Sequence, residues 1–203
     1  MSFIETISAE DASDVVMDMY TRQQAAMGYL PNYAKVFSLR PEVMNAWANL
    51  ISTVRGNIDR RRFELVTFAA AHEAGNTYCT LAHGKVLIDE FLKSDELTRI
   101  AQGSGSDALS DDEVAIMKFA RKVARDASSV TSEDVQTIKA CGLDDADVFD
   151  IVAAVSARAF FTRMLDGLGA VPDRAYKALD TDLLDALTVG RAVGDSPLEY
   201  LPE

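Results

Sequence analysis

"FELVTFAAAHEAGNTYCTLAHG", residues 63–84, decides how the chain folds. Among its first nine residues only Glu64 and Thr67 are polar, so Glu64 is expected to be buried. Asp59 reads as the cap of a helix over 60–73, and Gly75 supplies the left-handed residue on which helices often stop. Asn76 then caps a second helix running to about Phe91. If the two helices fold back on each other at Gly75, residues equally far from the turn lie opposite. That brings Glu64 beside the turn of His83 rather than beside Cys79.

The same punctuation continues in both directions. Toward the N-terminus, Ser8 opens a helix to about Ala26 that Gly28 ends, and "GYLPNY" (28–33) turns the chain through Pro31. Pro41 suits the first position of a helix to about Val54, where a missing backbone N–H costs nothing, and Gly56 ends it. Toward the C-terminus, Ser94 opens a short helix and "GSGSDALS" (103–110) is a loop. Ser110 with Glu113 forms a capping box for a helix to about Arg125, and Thr131 starts another that Gly142 closes. Residues 144–167 read as a long helix whose middle, "IVAAVSARAFF" (151–161), is apolar on nearly every face and is expected at the centre of the bundle. The last thirty residues give two short helices and a tail, "GDSPLEYLPE" (194–203), with no core of its own, expected to fray or to dock on another subunit. Strand signals are nearly absent. With no repeat, low-complexity block or long linker, residues 1–203 read as a single all-α domain, a helical bundle.

The 203 residues are 48% hydrophobic and 26% charged, the composition of an ordinary globular protein with a sizeable core. A net charge of −12 and a pI near 4.6 repel nucleic acid and anionic lipid over most of the surface. Arg60-Arg61-Arg62 is the one basic run. Two cysteines make no disulfide framework, and the N-terminal residues lack the charged-then-apolar pattern of a secretory signal, so a reducing cytoplasm is the expected location. No apolar run approaches the roughly 18–20 residues that span a bilayer.

Residues 72–84 hold both histidines and one of the two cysteines. In the first turn of its helix Cys79 meets unpaired N–H groups and the positive end of the dipole, which is expected to lower its pKa. His83, one turn along the same face, is in reach of the sulfur as proton acceptor or thiolate partner. Burial is expected to raise the pKa of Glu64 and suit it to orient the imidazole or relay a proton. The implied order is Glu64, His83, Cys79, the pattern of an activated nucleophile. Each residue also has a plain structural role: Cys79 as a small core residue, Glu64 in a buried ion pair with Arg158, Asn76 as a cap only. Zinc is the rival chemistry for His72, Glu73, Cys79 and His83. Their spacing holds neither a close cysteine pair nor a His-Glu-x-x-His run, and His72 lies across the helix break, so no metal is expected. "GSGSD" lacks the flanking strand of a nucleotide-binding loop, so no cofactor is expected.

Glu64 followed at matching distance by Tyr78-Cys79 and "LAH" (81–83) resembles the alkyl hydroperoxidase D (AhpD) and carboxymuconolactone decarboxylase superfamily, whose motif reads Glu, then Cys-x-x-Cys, then His. The resemblance extends through "GYLPNYAKVFSLRPEVMNAWANL" (28–50) and "FFTRMLDGLGAVPD" (160–173), which look like the peroxidase-related branch with an N-terminal arm around a core of about 41–126. It implies an AhpD-like all-helical bundle assembling into homo-oligomers, with Cys79 matching the second motif cysteine and Glu64 and His83 matching the relay.

Asn76 stands where the motif has its first cysteine, so no intramolecular Cys-x-x-Cys disulfide can form. A sulfenic acid at Cys79 would then be resolved by an outside thiol, since nothing brings Cys141 close. The resemblance thus implies a one-cysteine oxidoreductase of the peroxidase type, acting on a small-molecule peroxide with an external thiol reductant. Cys79 would be the nucleophile, His83 its proton partner and Glu64 the relay, with Asn76 and Tyr78 lining the turn beside the substrate. Two alternatives stay open. One is decarboxylase-like acid/base chemistry on a lactone acid, with Arg158 and Arg163 as anion-binding candidates or as partners of nearby acids. The other is a non-catalytic oligomer with a redox-sensitive thiol.

Overall fold

The computed structural model describes residues 2–201, all helix and connecting loop apart from one isolated β-bridge. In chain order the helices are α1 (Asp14–Met27), α2 (Asn32–Val36), α3 (Pro41–Arg55), α4 (Arg60–Glu73), α5 (Thr77–Glu90), α6 (Ser94–Ala101), α7 (Asp111–Asp126), α8 (Ser132–Ala140), α9 (Asp145–Leu168) and α10 (Thr181–Leu187). Short 3-10 turns lie at Ser106–Ala108, Ala127–Ser129 and Arg174–Ala178. The fold is an all-α helical bundle.

The expected caps are present. Asp59 accepts the Arg62 N–H at 3.0 Å, and Ser110 with Glu113 and Thr131 with Asp134 form capping boxes. Pro41 is the first residue of α3. Gly75 lies at φ +69°, which leaves α4 and α5 back to back across a three-residue link. Gly190 of the C-terminal segment sits so close to this link that a Cβ on it would meet Gly75 O at 2.1 Å; its N–H is donated to Thr77 Oγ1 at 2.8 Å.

Helix α4 is the centre of the bundle. All nine residues from Phe63 to Ala71 are buried, because α5, α7 and α9 pack around it and Ala69–Ala71 let them approach closely. The long helix α9, expected at the centre, is instead one wall. Val155, Arg158, Phe161, Thr162 and Leu165 face inward, while Phe149 is 71% exposed and Phe160 40%.

Both chain ends fold onto the bundle. Helix α1 begins at Asp14, not Ser8, because Ser8 and Asp11 close a turn of their own and Ile7 is held extended by Ser38 Oγ and Tyr20 Oη. The described part of the C-terminal tail docks on its own chain rather than fraying. Leu30 N–H donates to Glu199 O at 2.8 Å, Lys35 pairs with Glu199 at 2.5 Å, and Leu201 N–H reaches Gln24 Oε1 at 2.7 Å. The last two residues of that tail lie outside the described residues. Among the described residues no helix is long and apolar enough to cross a membrane.

Candidate active site

The link between α4 and α5 sets the site. Asn76 is the N-cap of α5: its Oδ1 accepts the Cys79 N–H at 2.8 Å, and its Nδ2 donates to Thr162 O of α9 at 3.4 Å. Both ends of its amide are therefore taken by the protein, the geometry of a cap. Cys79 lies in the first turn, as expected, but is 2% exposed and its N–H is already spent on the cap.

Glu64 and His83 meet as the hairpin geometry requires, with His83 Nδ1 2.6 Å from Glu64 Oε2. Glu64 is 4% exposed and pairs with this imidazole, not with Arg158. Thr67 Oγ1 donates to Phe63 O at 2.7 Å and so presents a lone pair to His83 Nδ1 at 3.1 Å. Nδ1 is thus the protonated nitrogen, shared between carboxylate and hydroxyl, and Nε2 is left as a base.

Among the described residues no hydrogen bond joins His83 to Cys79. The side-chain partner of Cys79 is Arg158, whose Nη1 lies 3.6 Å from Sγ. Arg158 is 5% exposed, its Nε has no hydrogen-bond partner, and among the described residues it forms no ion pair. Its guanidinium lies over the rings of Trp47 (5.4 Å) and Phe161 (5.6 Å). Trp47 stacks on Phe161 at 4.1 Å and donates its indole N–H to Ala157 O at 2.9 Å, while Tyr33 meets Phe161 edge-on at 5.6 Å. An aromatic wall thus backs the arginine and the thiol.

Two pKa expectations reverse. Burial pushes the Cys79 thiol up, and the charge and hydrogen bond of Arg158 offset this only in part, so the thiol is above its ordinary value rather than below it. Burial also pushes Glu64 up, but the hydrogen bond and charge of His83, with Arg55 and Arg158, outweigh it and leave the carboxyl below its ordinary value. Burial and the charge of Arg158 pull His83 down against the pull of Glu64. The resting pair is a carboxylate facing a neutral imidazole.

Tyr78, next to the thiol, points the other way. Its hydroxyl donates to Asp173 Oδ2 and accepts the Tyr33 N–H at 3.1 Å, while Asp173 also accepts from Tyr29 Oη at 3.3 Å and Asn32 N–H at 2.9 Å. Asp173, Tyr29, Tyr33 and Trp47 were not legible as site neighbours. The stretches that carry them are up to 144 positions apart, and no local signal joins them. Arg163 is exposed and lines a separate cavity of about 530 Å³ with Glu73, Arg125 and Asp166. Cys141 is the C-cap of α8, its thiol 3.4 Å from Thr137 O, and both cysteines are free.

Residues 41–122, which span α3 to most of α7 and include Glu64, Asn76, Cys79 and His83, match the carboxymuconolactone decarboxylase family. No curated protein matches the chain in sequence. The fold, an AhpD-like helical bundle, is shared with several solved structures. A peroxidase-related protein with an alkylhydroperoxidase AhpD core from Ralstonia eutropha JMP134 aligns with a TM-score of 0.73 at 20% identity, over 86% of this chain and 94% of that one. A cysteine-to-alanine variant of the debrominase Bmp8, in complex with 2,3,4-tribromopyrrole, aligns with a TM-score of 0.74 at 16% identity, over 92% and 100%. A peroxidase-related protein from Silicibacter sp. TM1040 aligns with a TM-score of 0.65 at 17% identity, over 85% and 92%.

Proposed function

We propose that this protein is a thiol-dependent oxidoreductase of the peroxidase type working through one cysteine, Cys79. The observation that carries the reading is the 3.6 Å contact of Arg158 with Cys79 Sγ, one helical turn from the Glu64–His83 pair. A buried guanidinium gains little from a neutral thiol and much from a thiolate, so it favours the sulfur most when the proton has left.

The steps balance as follows. Cys79 gives its proton to His83 Nε2, directly or through a water, and Glu64 stabilises the imidazolium. The thiolate attacks the terminal oxygen of a hydroperoxide: the S–O bond forms, the O–O bond breaks, and the leaving alkoxide takes the proton from His83. Cys79 becomes a sulfenic acid and the peroxide an alcohol. One external thiol then displaces water to give a mixed disulfide, and a second releases the disulfide and restores Cys79. Asn76 at the first motif position and Cys141 at the end of α8 both support resolution from outside.

The test is consumption of hydrogen peroxide and cumene hydroperoxide with dithiothreitol as reductant. Wild type and Cys141→Ser turn over, Cys79→Ser does not, and Glu64→Gln and His83→Ala lose on the order of 10²-fold. Acid/base chemistry on a lactone acid is the second reading, favoured by the family match over 41–122 and by the neutral imidazole of His83. It is adopted instead if Cys79→Ser keeps the activity that Glu64→Gln loses.

A further inference from the structure

Residues 118–125 of α7 hold Lys118, Arg121, Lys122 and Arg125 and no acid, in a chain where Asp and Glu outnumber Lys and Arg by 32 to 20. Spacings of three and four set these side chains next to one another along the helix, and like charges so placed destabilise it. The helix dipole offsets this for Arg125 in the last turn, but its effect fades within that turn and leaves Lys118 and Arg121 without compensation. Partners are divided in the same way. Lys122 pairs with Asp134 at 2.5 Å and Arg125 with Glu73 at 2.6 Å. Among the described residues Lys118 and Arg121 have neither an ion pair nor a side-chain hydrogen bond. The consecutive run Arg60-Arg61-Arg62 is the contrast: Arg60 faces Glu90, Arg61 faces Glu113, and Arg62 faces Asp112 and Asp147.

The four cations line a cavity of about 740 Å³ between α7 and α8, none of whose lining residues belongs to the Cys79 site. Arg121 is half-buried, and burial holds its guanidinium below its ordinary value with only the charge of Glu73 countering. Among the described residues no nitrogen of Arg121 is both enclosed and without a partner, unlike Nε of Arg158, so its free donors reach the open space of the cavity. Val114 and Ala115, one turn before Lys118, give the same cavity an apolar side with Phe119 and Ile138. Of its two carboxylates, Asp111 lies at the far end of α7, and Asp134 is taken by Lys122 and the Thr131 cap. We infer that this cavity binds a phosphate monoester with an apolar body, its head between Lys118 and Arg121 and its body against Val114 and Ala115. Such a head carries about −1.5 to −2 charge at neutral pH, which matches the two cations that the protein leaves without partners, whereas a carboxylate would neutralise one of them. The site does not depend on the reading of Cys79 as a reacting thiol.

Isothermal titration calorimetry on the full chain tests this with phenyl phosphate, benzoate and inorganic phosphate. Phenyl phosphate is expected to saturate a single site. Benzoate, which has the body but less charge, and inorganic phosphate, which has the charge but no body, are each expected to bind at least about fivefold more weakly. Lys118→Gln and Arg121→Gln each weaken phenyl phosphate about tenfold. Arg60→Gln, in the paired run, and Cys79→Ser, in the candidate active site, leave it unchanged. No saturable heat with phenyl phosphate, or equal affinity for benzoate or inorganic phosphate, overturns the site. Unaltered binding in either α7 variant, or an equal loss in Arg60→Gln or Cys79→Ser, overturns it as well. Lys118 is exposed, so its variant decides even if Arg121→Gln does not fold.

Discussion

Two buried polar clusters back onto neighbouring residues of α5, and they differ in completeness. On the Tyr78 side, Asp173 accepts from Tyr78, Tyr29 and the Asn32 N–H, and the Tyr78 hydroxyl in turn accepts from the Tyr33 N–H. On the Cys79 side, Arg158 is as deeply buried, yet one of its donors reaches a sulfur and its Nε reaches nothing. The first cluster ties the Tyr29–Tyr33 segment, α5 and the loop after α9 together, and a lock of that kind works only when its polar atoms are satisfied. The second is backed by aromatic rings and leaves a buried donor unpaired. The difference suits one side of the turn to stability and, under the proposed function, the other to chemistry.

The largest effect expected from breaking this contrast is Asp173→Ala. It strands two tyrosine hydroxyls and a backbone N–H, and should cost about 3 kcal/mol in chemical denaturation while leaving the alkylation rate of Cys79 in the folded protein unchanged. A slowed thiol would mean the clusters are not separate. Arg158→Met should do the reverse. Stability stays level or rises, because an unpaired buried cation is removed, while the thiol pKa moves further up and alkylation at neutral pH, read in a Cys141→Ser background, slows about tenfold. Asn76→Ala, which removes the cap shared by both sides, should cost about 1 kcal/mol in the same denaturation experiment.

The smallest effect is a pH dependence. His83 is held below 6.5 by burial and the charge of Arg158, so the unfolded chain takes up a proton near pH 6.5 that the native chain refuses. Its contribution to stability is present above that pH and lost as pH falls through the folded value. Glu64, also depressed on balance, has the same sign in a lower window, below its ordinary 4.5. Asp173, raised by burial, acts in the opposite sense above 3.8. Melting temperatures at about pH 7.5 and about pH 5.5 should fall on acidification in wild type and fall less in His83→Gln.

The helices and the dyad were legible because their signals are local. Asp59, Gly75 and Asn76 mark ends within a few residues, and the back-to-back geometry at Gly75 was enough to bring Glu64 to His83. The partner of Cys79 was not fixed by spacing. His83 stands one turn along the helix, but whether it or a residue of α9 reaches the sulfur depends on how α9 packs, and Arg158 is 79 positions away. The direction of the thiol pKa misled for a related reason. Position in a first turn is visible in sequence, whereas complete burial, which outweighs it here, is a property of the assembled bundle. The tail likewise has no core of its own, and its place against Leu30 and Lys35 depends on a groove formed at the other end of the chain.

The most direct test of the central claim is to treat the reduced protein with one equivalent of hydrogen peroxide, trap sulfenic acid with dimedone, and map the adduct by mass spectrometry. The account predicts dimedone on Cys79, abolished by Cys79→Ser and reduced in Arg158→Met, with Cys141 unmodified. Adduct on Cys141 alone, or on neither cysteine while peroxide is consumed, would contradict it.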